Sequence, residues 1–188
     1  MYFPNWSILS YDPGGNEMER DESGAIFVEI KPVTVSITPV MQSFHAEQFL
    51  KAAQVISQDR HIPRGAPTFS PVPYYLYCRA LELILKAYLS VRGLSSDSLK
   101  KKYGHDLERL WNDAVANDLL DRLTHQSTEL PRDIALANQY YAPPAKAFEY
   151  FDFRRWANNY PDLPSLDRFG SDVTSLIHDL GRWCRDQS

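Results

Sequence analysis

Residues 77–93, YCRALELILKAYLSVRG, and residues 99–114, LKKKYGHDLERLWNDA, decide the fold. Around the first, Leu76, Ala80, Leu83, Ala87 and Val91 recur at three- and four-residue spacing, which predicts a helix with one buried face. Ser70-Pro71 supplies a start signal for it, and Gly93 ends it. Glu82 and Lys86 stand four apart in the favourable acid-before-base order and read as a structural, surface ion pair. A pair facing the bundle centre would be of more functional interest. In the second stretch, Ser95 or Ser96 can cap a short helix through Leu99 to Tyr103. Its lysines Lys100, Lys101 and Lys102 lie near the negative C-terminal end. Gly104 suits the left-handed position that terminates helices, and Asp106 can cap the next one. That next helix carries the stripe Leu107, Leu110, Trp111 and Ala114.

Working outward, Thr38-Pro39 opens an earlier helix to about Gln58, with Met41, Phe44, Phe49, Ala52, Ala53 and Ile56 expected inside. Asp59 to Phe69, with Pro63, Gly65 and Pro67, reads as a loop containing the solvated pair Arg60-His61. Downstream come a weak helix near Leu119 to Leu123, one from about Arg132 to Tyr141, and a last one from Leu166 to Arg185. Between the last two lie Pro143-Pro144 and an aromatic-dense stretch holding Arg154 and Arg155. Residues 1–38 differ in character. Glu17 to Ser23 reads as a charged loop, and Ala25–Ile30 and Val33–Ile37 read as strand, with Pro32 between them demoting the pair to an edge or bend. The expected organisation is an N-terminal β arm over 1–38 and a helical domain over 39–188, the chain as a whole mainly α.

Composition narrows the function classes. With 188 residues the chain can bury a sizeable core, and 44% hydrophobic with 23% charged residues is an ordinary globular balance. A net charge of −4 argues against a basic nucleic-acid coat, while local basic patches are compatible with it. Cys78 and Cys184 sit in helical patterns among apolar neighbours and read as buried thiols, which with the absence of any apolar run long enough to span a membrane predicts a cytoplasmic protein. No Cys/His spacing suits zinc, and no Gly-rich phosphate loop or Gly-x-Ser-x-Gly elbow occurs, so no metal and no cofactor are expected. His178-Asp179 on the last helix reads as a surface pair, since adjacent helical residues point about 100° apart.

The two opening stretches together resemble the HEPN superfamily (higher eukaryotes and prokaryotes nucleotide-binding). Ala80, Glu82, Lys86, Ala87 and Leu89 match its Ala-x-Glu-x-x-x-Lys-Ala-x-Leu helix, and Gly104, His105, Asp106 and Leu107 match its Gly-His-Asp-Leu junction. The likeness covers residues 70–117 well and extends loosely toward residue 185 through ALANQYY and YFDFRRW. It implies an up-and-down bundle of four to five helices, often dimeric. Many HEPN proteins are metal-independent ribonucleases of toxin–antitoxin and phage-defence systems, with an Arg-x(4–6)-His signature. Here no arginine stands five to seven residues before any histidine. Lys100, five before His105, keeps the charge without the bidentate fork.

Three readings result. The first is a non-catalytic HEPN-like module that binds a nucleotide, RNA or a protein partner. The second is a divergent metal-independent ribonuclease toxin using His105, with a nucleotidyltransferase-type antitoxin as partner. The third is a dimeric interaction or scaffold protein. His105 is the candidate catalytic residue, or else a junction residue bonding nearby backbone. Lys100, Lys101, Lys102, Arg154 and Arg155 are the candidate nucleotide or RNA contacts. Glu82, Lys86, Gly104 and Asp106 are expected to be structural. A homodimer and no membrane are expected.

Overall fold

The computed structural model describes residues 37–58, 70–149 and 162–187, together with the backbone of 19–20 and 26–27. The chain divides into two compact units, Met1–Ser36 and Ile37–Ser188. In the first, β1 (Glu19–Arg20) pairs antiparallel with β2 (Ile26–Phe27), Glu19 opposite Phe27. Two residues expected in the charged loop are therefore strand. Of the second expected strand, Val33–Ser36 lie outside the described residues and Ile37 is coil, its side chain exposed.

The second unit is helical among the described residues. Its elements are α1 (Pro39–Gln58), α2 (Val72–Val91), α3 (Ser96–Tyr103), α4 (Leu107–Val115), a single 3-10 turn (Leu120–Arg122), α5 (Leu130–Tyr141) and α6 (Leu166–Asp186). The start signals act as their chemistry dictates. Thr38 Oγ1 accepts from the Met41 N–H at 3.2 Å, Ser95 from Ser98 at 3.2 Å and Asp106 from Arg109 at 3.0 Å, each satisfying an orphan donor of a first turn. For α2, Ser70 Oγ accepts from the Val72 N–H at 3.3 Å.

Helix α2 is the centre of the unit, packed against α1, α3, α4, α5 and α6. It is buried around most of its circumference, through Tyr74, Tyr77, Cys78, Leu81, Ile84, Leu85, Tyr88 and Leu89 as well as Ala80 and Ala87. The expected single stripe is corrected accordingly: Leu76, Leu83 and Val91 are only partly buried, at its margin. Helix α1 is corrected too. It buries Ser43, Ala46, Leu50 and Ala53, while Met41, Phe44, Ala52 and Ile56 are exposed and Phe49 is only partly buried. Small side chains at a helix contact let the axes approach, so α1 seats in the bundle through Ser43, Ala46 and Ala53 beside Leu50 and leaves Met41, Phe44 and Ile56 outside. Helix α6 does the same at Gly170, where an added Cβ would stand 2.8 Å from the Tyr77 ring. The stripe of α4 buries as expected, at Leu107, Leu110, Trp111 and Ala114, and α6 buries Phe169, Val173, Leu176, Ile177 and Leu180, with Trp183 partly buried. Both cysteines are buried, and neither is in a disulfide.

Candidate functional site

Arg79, Glu82 and Lys86 occupy α2 at spacings of three and four, so all three project from one face of the helix. That face meets the α3–α4 junction and the end of α5, and the Glu82–Lys86 pair is thereby corrected from a surface pair to an interior one. The Glu82 side chain is 1% exposed, and its two oxygens accept from four donors. Oε1 takes Lys86 Nζ at 2.6 Å and Arg79 Nη1 at 3.0 Å. Oε2 takes His105 Nδ1 at 3.0 Å and the Tyr141 hydroxyl. Burial alone would raise the carboxyl pKa. The charges of Lys86 and Arg79, with the Lys86 and Tyr141 hydrogen bonds, outweigh it and hold Glu82 below the ordinary carboxylate range. Burial, then the Glu82 charge and hydrogen bond, push the Tyr141 phenol far up, so it stays a donor.

The Gly-His-Asp corner is built onto this carboxylate. Gly104 sits at φ 54° and ψ −109°, a combination open to glycine and strained for any residue with a Cβ. Its N–H closes α3 on the Lys100 carbonyl at 3.2 Å, and its own carbonyl accepts from Lys86 Nζ at 2.6 Å. Lys86 thus ties the corner to Glu82, and the next residue brings its imidazole onto the same carboxylate. Asp106 Oδ1 accepts from the Arg109 N–H and from Asn138 Nδ2, both at 3.0 Å, while Asn138 Oδ1 accepts from the Leu107 N–H at 2.9 Å. Asn138 therefore clamps the start of α4 to α5.

His105 is the exposed end of this network. An ionised carboxylate only accepts, so Nδ1 carries the hydrogen and Nε2 is the basic nitrogen of the neutral ring. The side chain is 39% exposed, and among the described residues Nε2 has no hydrogen-bond partner. The ring stands edge-on to Tyr141, 6.1 Å between centroids at 89°. With His105 neutral, two cations and one carboxylate leave the cluster with one net positive charge. The arrangement can hold an anion or pass a proton at a fixed point.

The remaining candidates divide. Lys102 is paired to Asp113 at 2.6 Å and lies over the Tyr103 ring, while Tyr103 donates to the same carboxylate at 2.7 Å; these two hydrogen bonds hold Asp113 below its ordinary range. Lys100 and Lys101 are exposed and pair with no carboxylate among the described residues. Arg154 and Arg155 lie outside the described residues. His178 is exposed, 3.9 Å from Asp179, whose carboxylate accepts instead from the Thr124 N–H and hydroxyl. Among the described residues no three His, Cys, Asp or Glu side chains gather as a metal site, and no described helix is long and apolar enough to cross a membrane.

Sequence reasoning missed Arg79, Asn138 and Tyr141. A signal existed: Arg79 stands three before Glu82, and Asn138 and Tyr141 stand three apart, each spacing placing both side chains on one helix face. No protein-family model matches the chain, and neither a curated protein nor a solved structure matches it.

Proposed function

We propose that the chain is a HEPN-like helical module, an up-and-down bundle with an N-terminal β arm, that binds a phosphate-bearing ligand, RNA or a nucleotide, at the Gly104–His105–Asp106 corner. One observation carries this reading: His105 is held through Nδ1 by the buried Glu82 while Nε2 is left without a protein partner, on a carboxylate shared with Arg79 and Lys86. A fixed imidazole beside two cations suits a phosphate oxygen. Lys100 and Lys101 add unpaired charge on the preceding helix. Binding without cleavage is favoured because neither Glu82 nor Tyr141 is available as a second proton-transfer group. Glu82 is saturated by four donors and Tyr141 is locked as a phenol.

The test is fluorescence anisotropy of a labelled single-stranded RNA, with the same samples run on a denaturing gel. His105→Ala and the triple Lys100, Lys101, Lys102→Gln variant are expected to weaken binding, the triple variant also flattening its salt dependence. Wild-type affinity in both variants would refute the site. The ribonuclease reading has its own support, since a Nδ1–H tautomer leaves a basic Nε2 for proton abstraction. It requires cleavage by wild type that His105→Ala abolishes, and it would bring a nucleotidyltransferase-type antitoxin as partner. A homodimer, supported by the exposed Ile37, Phe44 and Val55 on and just before α1, is the expected assembly in sedimentation velocity. If neither RNA nor nucleotide binds, that dimer would stand as the functional unit of a scaffold.

A further inference from the structure

A second feature lies on other elements of the bundle. A cavity of about 490 Å³ opens between α4, the segment from Leu120 to Pro131 and α6, of a size suited to a small organic molecule. Trp111, Leu120, Leu123, Leu130 and Leu176 make its apolar walls. His125 and Ser175 also line an adjoining cleft of about 460 Å³, whose other walls include Thr174, His178 and Arg182.

The charges of the two compartments differ. In the adjoining cleft the one acid, Asp179, is occupied by the Thr124 N–H at 2.7 Å and the Thr124 hydroxyl at 3.0 Å. Arg182 pairs with no carboxylate among the described residues, and its Nη2 lies 3.5 Å from His178 Nε2. A guanidinium without a carboxylate partner, with the His178 imidazole beside it and His125 lining the same cleft, suits an anion. The apolar cavity instead carries the Asp172 carboxylate, which accepts from Ser127 at 2.6 Å and disfavours an anion on that side. Ser175 and Arg182 are seven residues apart on α6, which spans about 10 Å of helix axis.

We propose that the paired clefts bind a small molecule made of a flat apolar ring system and one anionic group. The rings pack against Trp111 and the leucines, and the anion rests on Arg182 with His125 and His178. Phosphate and carboxylate share this chemistry. The site is independent of the His105 corner.

The test is fluorescence titration of 1-naphthyl phosphate, 1-naphthoate and uncharged 1-naphthol with the full-length protein, with inorganic phosphate as competitor. Saturable binding is expected, with the better of the two anions held about tenfold more tightly than 1-naphthol, and the better anion names the group. Arg182→Gln is expected to erase that preference while keeping 1-naphthol binding. Ser175→Phe, which plugs the shared wall, is expected to weaken all three. Both residues are exposed, so the melting temperature is expected to stay at the wild-type value. His105→Ala is expected to bind all three as wild type does, which separates this site from the RNA reading. No saturable signal up to millimolar probe, an unchanged preference in Arg182→Gln, unchanged affinity in Ser175→Phe, or loss of binding in His105→Ala would each overturn the proposal.

Discussion

Replacing Glu82 by glutamine preserves the side-chain shape, removes its charge and tests whether this carboxylate is the electrostatic keystone of the corner. Two cations at 2.6 and 3.0 Å would lose their counter-charge. With its oxygen kept on Lys86 and Arg79, the amide would also turn its NH2 toward His105 and Tyr141, both of which now donate. Breaking a buried pair by removing one partner costs about 3–5 kcal/mol. Lys86 is 15% and Arg79 30% exposed, and their contact with water places the loss at the lower end of that range. For a domain of this size, about 3 kcal/mol lowers the melting temperature by roughly 6–12 °C. The pH profile gives a second readout. Because the folded carboxyl titrates below its unfolded value of 4.5, its contribution is fully present above pH 4.5 and is lost as pH falls through the depressed folded value. Urea unfolding between pH 3 and 7 is therefore expected to show a shallower acid slope in the variant than in wild type, test conditions of about that range bracketing the carboxylate titration. A variant within about 0.5 kcal/mol of wild type, with the same acid slope, would refute the reasoning.

Gly104→Ala is expected to cost about 1 kcal/mol or more in urea unfolding through backbone strain, since beyond the adjacent residues nothing lies within 4 Å of the added Cβ. Leu85→Asp puts an unpaired charge at a fully buried position of α2 and is expected to abolish cooperative melting, whereas Leu83→Asp, at the margin, is expected to yield a folded, destabilised protein. Burial pushes the Cys184 thiol up to about 12 and, with Glu82 adding its charge, the Cys78 thiol higher still. Both are expected to resist a disulfide reagent in native protein near pH 8 and to react on unfolding, so rapid native labelling would contradict their placement.

The helices of the second unit were legible because capping and hydrophobic periodicity are local. Thr38, Ser95 and Asp106 each satisfy a first-turn N–H three residues on, a relation written entirely within the sequence. Which face goes inward was legible only where one face is clearly the more apolar, as in α4. Helix α1 offers two candidate faces, and the choice belongs to its neighbour: α2 accepts Ala46 and Ala53 and leaves Phe44 out. Helix α2 failed the single-stripe reading for the opposite reason. A helix packed on several sides is apolar nearly all round, and a three-and-four spacing can be traced along any of its faces.

The same limit explains the candidate site. Gly104, His105 and Asp106 are adjacent and could be singled out together, and Glu82 with Lys86 stood out as a spaced pair. Nothing local states that the pair and the corner share a carboxylate, because that contact spans 23 residues between His105 and Glu82 and 59 between Tyr141 and Glu82. The physical constraint nonetheless runs both ways. A buried glutamate on a central helix must find donors enough to outweigh its desolvation, and α2 itself supplies only Arg79 and Lys86, both for one oxygen. The second oxygen has to be served from other elements, and His105 and Tyr141 are the residues that α3, α4 and α5 bring to it. Glycine at this point is what lets the chain deliver that histidine: at φ 54°, a conformation open to it, Gly104 offers Lys86 its carbonyl while the next residue offers Glu82 its imidazole.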